Sequence, residues 1–210
     1  GEPDWQREKA YCLVQGGRID EGAALYEELL RRNPADPERW WSVIHTYADA
    51  GRHESAAARL EDFLRRFPRD EKAFELLVYE YTRGGRIEEA IRALEARVAR
   101  NPEDARIRVS LLGLLRGEER YAETIPHYRA LIRLQPGDRE LRMALAFVHE
   151  QLDDPRSAAE LLEEQIAYFP QDAGALDKLA WVYDKLGERA KAIGLLQRHF
   201  MRAFPRRGGS

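Results

Sequence analysis

GRIDEGAALYEELLRRNP fills residues 17–34, and GRIEEAIRALEARVARNP fills residues 85–102. The two stretches share a Gly-Arg-Ile start, an acidic second step, an Ala/Leu-rich middle and an Asn-Pro end. They stand 68 residues apart, twice 34. Prolines mark the same interval: Pro34, Pro68, Pro102, Pro136 and Pro170 are spaced by 34, and Pro205 follows after 35. A fixed period of this length signals one supersecondary unit copied in tandem. The period divides the chain into six units, 3–36, 37–70, 71–104, 105–138, 139–172 and 173–206, with 207–210 left as a tail.

Numbering each unit from its first residue exposes the shared places. Place fifteen holds Gly17, Gly51 and Gly85, then Glu119 and Asp153, then Gly187. Place twenty holds Gly22, Ala56, Ala90, Thr124, Ala158 and Ala192, and place eleven Leu13, Tyr47, Tyr81, Leu115, His149 and Tyr183. Apolar residues recur at helical spacing, as in Trp40, Val43, Ile44 and Tyr47, and again in Leu60, Phe63 and Leu64. The glycine supplies a turn, the closing proline ends a second helix, and small residues at place twenty let the two helices approach. Each unit therefore reads as a helical hairpin. No stretch alternates as a strand does, so no sheet is expected.

This pattern resembles the tetratricopeptide repeat family, whose 34-residue unit carries aromatics at places four and eleven and small residues at twenty and twenty-seven. Unit two fits through Trp40, Tyr47, Gly51, Ala56 and Pro68, and unit three through Phe74, Tyr81, Gly85, Ala90 and Pro102. The family's glycine at place eight is missing throughout, and units four and five lack the turn glycine. Pro126 falls inside the second helix of unit four and is expected to kink or delay it. With Gly113 and Gly117 nearby, a local irregularity is expected there. The resemblance implies an all-α, right-handed superhelical solenoid over residues 1–206, whose first helices line a concave groove that holds peptides.

At about 100° per residue, place nine of the first helix points roughly 150° from the packing face, where polar residues are the ordinary choice. It holds Tyr11, His45, Tyr79, Gly113, Phe147 and Trp181 instead, with Trp41 and Met143 nearby at place five. Two readings stand side by side: a ligand-contacting stripe, or aromatics that bury one another between repeats. The rest of the face mixes signs, including Arg83, Lys72, Glu75, Glu150 and Lys185, as a solvated surface does. Aromatic anchors with a mixed polar rim suit a protein or peptide partner. The residues expected to face it are Tyr11, Trp41, His45, Tyr79, Arg83, Met143, Phe147 and Trp181. The family's clamp for chaperone tails needs Asn at places six and nine; the only Asn residues here, Asn33 and Asn101, sit in closing turns.

Composition narrows the function. The chain is 44% hydrophobic and 34% charged with net charge -3, a balance of folded proteins without the basic stripe of a nucleic-acid binder. No apolar run reaches the roughly 20 residues of a membrane span. One cysteine, Cys12, excludes an intrachain disulfide framework. The five histidines are scattered; His45 with Asp49 and His149 with Asp153 are spaced to meet on a helix face but lack further metal ligands. No nucleophile elbow or phosphate-cradling loop is present, so neither catalysis nor a cofactor is expected. Arginine far outnumbers lysine, a bias that fits a bacterial coding sequence. The reading is a non-catalytic interaction scaffold, of the kind found in bacterial envelope assembly, secretion or exopolysaccharide export, with the non-catalytic repeat region of a larger enzyme such as a glycosyltransferase as the alternative. The apolar residues of the last helix, Ile193, Leu195, Leu196, Phe200 and Phe204, and Trp5 and Leu13 at the other end, have no cap in sequence. The chain is therefore expected to be a segment of something longer or to associate with itself through its ends.

Overall fold

A computed structural model describes residues 5–203, with side chains described through residue 199. Phe204, Pro205 and the 207–210 tail lie outside the described residues, as does the side chain of Phe200. Among the described residues there is no strand, and the helices run α1 (Trp5–Gln15), α2 (Ile19–Arg32), α3 (Pro37–Asp49), α4 (His53–Arg66), α5 (Glu71–Arg83), α6 (Ile87–Arg100), α7 (Ala105–Gly117), α8 (Tyr121–Leu134), α9 (Arg139–Gln151), α10 (Pro155–Tyr168), α11 (Ala173–Lys185) and α12 (Arg189–Ala203). On a larger scale than the six repeats, the described residues form a first compact unit ending at Ala96 and a second beginning at Arg97, inside α6.

Every first helix after α1 begins on an aspartate two residues beyond a proline. Asp36, Asp70, Asp104, Asp138 and Asp172 cap α3, α5, α7, α9 and α11, each side chain accepting a backbone N–H of the first turn. A carboxylate there satisfies an orphan donor and faces the positive end of the helix dipole. Asp172 also accepts from Gln165 and lies beside Arg139, and these contacts hold its carboxyl below the usual range. Second helices end at the residue before a proline, with Asn33, Phe67, Gln135 and Phe169 as their C-caps.

Each hairpin reverses through a left-handed residue at place fifteen. Gly17, Gly51, Gly85 and Gly187 have φ of 67–76°, and Glu119 and Asp153 take the same conformation at 55° and 53°. In all six, the N–H of place sixteen donates to the carbonyl of place eleven at 2.8–2.9 Å, from Arg18 to Leu13 through to Glu188 to Tyr183. This six-to-one bond closes a helix end whose carbonyls otherwise lack donors. The missing glycines of units four and five therefore leave the turn intact at the cost of a strained residue.

Pro126 does not delay the second helix of unit four, although the entry to α8 differs from its counterparts: Tyr121 N–H donates to the Glu119 carbonyl at 2.8 Å and Glu123 N–H to the Arg120 carbonyl at 3.1 Å, where the other units bond place twenty back to place sixteen. The first helix of unit four, α7, has 13 residues, as do α3, α5, α9 and α11, and α8 starts at the same place as its counterparts and runs unbroken through Pro126. Gly113 and Gly117 face open space, while α7 is held by buried Ile107, Leu111, Leu112 and Leu115. Pro126 removes one N–H, but α8 stays anchored by buried Tyr128 and Leu131.

Packing joins consecutive helices from α1 to α5 and from α7 to α12. In the first unit, Ala10, Tyr26, Leu29, Leu30 and Val43 bring α1, α2 and α3 together. Gly22 makes the α1–α2 approach possible, because a Cβ there would stand 2.5 Å from the Val14 methyl. In the second unit, Leu112, Tyr128, Leu131, Leu145 and Val148 join α7 to α9, and Ala158, Leu162, Leu179 and Tyr183 belong to the cluster that continues through α12.

Glu119→Gly is expected to raise unfolding stability by about 1 kcal/mol by removing left-handed strain from an exposed side chain, and Gly51→Ala to lower it by a similar amount. Urea unfolding followed by circular dichroism measures both.

Candidate interaction surface

Two sets of polar ties fix the angle between consecutive hairpins and so decide what the first helices expose. The first joins place eleven to the glutamate twenty residues earlier. Tyr81 Oη donates to Glu61 at 2.7 Å, Tyr183 Oη to Glu163 at 2.6 Å, and Tyr47 Oη to Glu27 at 3.4 Å. Burial, reinforced by the accepting carboxylate, pushes the Tyr81 and Tyr183 phenols well above their ordinary range. The second joins place four to the closing proline's carbonyl six residues back. Trp40 Nε1 donates to Pro34 at 2.9 Å, Arg108 Nη2 to Pro102 at 2.7 Å, and Arg142 Nη1 to Pro136 at 2.8 Å.

With places four and eleven turned inward, place nine faces out. In the first unit Tyr11 and Tyr79 are 55% and 54% exposed. His45 is exposed and stacks on Trp41 with ring centroids 5.3 Å apart, while half-buried Trp41 leans on Phe63 at 5.4 Å. Arg83 is exposed in the last turn of α5. A cleft of about 380 Å³ opens beside Tyr11, lined also by Arg7, Glu8, Tyr26 and Ser42. In the second unit Trp181 is 55% exposed. Phe147 is half-buried, edge-on to Tyr121 at 6.3 Å and beneath Lys178 Nζ at 5.5 Å, and Met143 packs on the α9–α12 cluster. The eight residues therefore differ in kind: among the described residues no ring stacks on Tyr11, Tyr79 or Trp181, whereas Trp41, Met143 and Phe147 also serve packing. Val109, exposed at place five of α7, is an apolar surface residue that helical spacing alone points to and the aromatic pattern overlooks.

Several charges of this face are already paired. Lys178 meets Glu150 at 3.2 Å and Lys185 meets Asp153 at 2.9 Å. The expected His149–Asp153 pair is replaced: the left-handed turn carries Asp153 outward to Lys185, and the next residue, Asp154, accepts His149 Nδ1 at 3.1 Å while capping α10. His45 likewise pairs with a ring rather than with Asp49. His149 and Glu80 are buried, the latter 2.7 Å from His53 Nδ1, and both join neighbouring elements. Cys12 is a free, exposed thiol. Among the described residues no group of three His, Cys, Asp or Glu side chains is placed to hold a metal ion, and no helix is long and apolar enough to cross a membrane.

Tetratricopeptide repeat family models match residues 1–40 and 75–139, 115–173, and 175–200. Solved structures similar in fold include a MamA protein, 16% identical over 81% of this chain and 96% of that one with a TM-score of 0.53. MamA AMB-1 is 21% identical over 77% and 88% with a TM-score of 0.51. A tetratricopeptide repeat protein from Parabacteroides merdae is 17% identical over 94% and 78%, also at 0.51. These likenesses show an all-α repeat solenoid. No curated protein matches the chain.

Tyr81→Phe is expected to cost about 1–2 kcal/mol at neutral pH, the worth of a hydrogen bond to a carboxylate. An acid whose folded pKa lies above its unfolded one holds its proton more tightly when folded. The stability from Tyr81 and Tyr183 is then full below pH about 10 and is lost as pH rises beyond it. Urea midpoints between pH 8 and 11.5 should fall less steeply in Tyr81→Phe than in the native chain.

Proposed function

The chain belongs to the tetratricopeptide repeat family, and from that premise we propose that it is a non-catalytic scaffold binding a protein or peptide partner through the place-nine surfaces of its first helices. The observation that carries this reading is the exposure of Tyr11, Tyr79 and Trp181, each more than half open to solvent at one repeated place. Large aromatics offer contact area at low entropy cost and dominate binding where they are desolvated by a partner. The charges around them are mixed, several already paired within the chain, which supports a polar rim rather than a phosphate-binding stripe. The arginine-rich composition fits a bacterial adaptor of envelope assembly, secretion or exopolysaccharide export.

Tyr79→Ala and Trp181→Ala should each weaken capture of the partner recovered from native lysate by more than about 1 kcal/mol while leaving the melting temperature nearly unchanged. Phe147→Ala should lower both affinity and stability, because its ring also packs on Tyr121. Leu145→Ala, in the core, should lower stability by about 2–5 kcal/mol. Equal losses of melting temperature across the exposed and core sets would show that the aromatics serve packing alone.

A further inference from the structure

We infer that the cleft between α1 and α3 is a subsite for an arginine side chain of the partner, an assignment that rests on the scaffold reading above. The cleft of about 380 Å³ beside Tyr11 shares Arg7, Tyr26 and Ser42 with a narrower recess of about 80 Å³ that reaches Leu29, Asp36, Glu38 and Arg39. Its walls are α1 and α3 and its base is α2, so three described helices enclose the space between them. Three differences between neighbouring repeats open it. At place five Arg7 stands where the next repeat has Trp41, and at place twenty-seven Leu29 stands where it has Phe63. At place six of the following helix Ser42 stands where α5 has Leu76. Trp41 leans on Phe63 at 5.4 Å and His45 stacks on Trp41, so in the next repeat rings fill the counterpart of the cleft.

Ring and charge chemistry specify the occupant. Tyr11 is 55% exposed at the mouth of the cleft. Glu8 on the α1 wall and Glu38 on the α3 wall are exposed, and neither carboxylate meets a cation among the described side chains. The cations of the cleft are already engaged: Arg39 donates to the Leu29 carbonyl at 2.6 Å and to Asp36 at 3.4 Å, and Arg7 has a partner of its own. Ser42 Oγ donates to the Glu38 carbonyl at 2.9 Å, which leaves its oxygen as an acceptor. The chain uses the same groups on one of its own arginines. Arg86 lies over the Tyr81 ring at 4.6 Å and meets Glu89 at 3.1 Å and Glu61 at 3.7 Å. A guanidinium is planar and weakly hydrated, so it stacks on a ring while its N–H groups donate to carboxylates, which a compact ammonium does less well. The cleft presents a tyrosine and two glutamates to solvent, and an arginine from the partner completes the set. An acidic side chain there meets Glu8 and Glu38 as like charges, and an aliphatic one desolvates both without pairing them.

The test titrates N-acetyl-arginine amide into the intact, isotope-labelled 210-residue chain at low ionic strength, where screening is weakest, and follows the backbone amides by NMR. The citrulline isostere, which keeps the shape without the charge, and the corresponding lysine and glutamate amides run in parallel. Arginine is expected to shift the amides of residues 7–11 and 38–42 saturably, and to bind at least about fivefold more tightly than any of the other three. Ser42→Leu, which restores the side chain of the next repeat, should abolish those shifts. Glu8→Gln and Glu38→Gln should each weaken binding about threefold or more with circular dichroism and melting unchanged, since both side chains are exposed. Failure to saturate, equal binding of citrulline, lysine or glutamate, or binding insensitive to Ser42→Leu and to both glutamine variants overturns the assignment. Self-association in sedimentation that Ser42→Leu abolishes also overturns it, because an arginine of a second copy is then the occupant. The amide shifts need no partner, and Tyr79→Ala leaves the cleft intact. Loss of the arginine response therefore counts against this subsite alone, whereas partner capture indifferent to Tyr79→Ala and Trp181→Ala counts against the wider reading.

Discussion

The six-to-one hydrogen bond from place sixteen to place eleven is the constraint on which the remaining geometry depends. It recurs in all six units within a tenth of an ångström, and it needs one residue at positive φ between its ends. By fixing where each first helix stops, it also fixes the orientation of the residue at place eleven, whose carbonyl accepts the bond. In units two, three and six that residue is a tyrosine whose hydroxyl reaches back to the glutamate of the preceding hairpin. One residue thus ends a helix through its backbone and sets the angle to the previous repeat through its side chain. Place nine, two residues earlier on the same helix, is turned outward as a consequence.

Much of this architecture was legible before any coordinates. Proline and glycine carry backbone restrictions that hold in any context, so Pro34 and Gly17 declare a helix end and a turn on their own. Helical angle likewise places Tyr11, Tyr79 and Trp181 on the surface, because the angle belongs to one helix alone. The Asp caps obey the same rule, since a Pro-x-Asp recurs at every 34-residue step from Pro34 to Asp172.

What could not be read depends on two elements at once. Phe147 shares its helix place with Trp181 yet is half-buried, because Tyr121 at the start of the preceding unit's second helix meets its ring edge-on. The Tyr–Glu ties join residues twenty apart on different helices, and nothing in their local sequence announces the pairing. His149 illustrates the finer limit. Whether it meets Asp153 or Asp154 turns on a single left-handed residue, and a glutamate or aspartate in that conformation goes against the usual preference for glycine.

The donors at place four carry a lesson about how such arrays diverge. Trp40, Arg108 and Arg142 share no chemistry except a planar group bearing N–H, and all three aim it at the carbonyl of the proline six residues back. An indole fills that corner with ring surface. Arg142 fills it with a buried guanidinium roofed by the Tyr168 ring at 4.3 Å. Exchange between the two leaves the chain path unchanged while erasing the aromatic signature by which a repeat is recognised. Units that look degraded beside a consensus can therefore be structurally whole, and the number of repeats in proteins of this kind is better counted by their turns than by their aromatics.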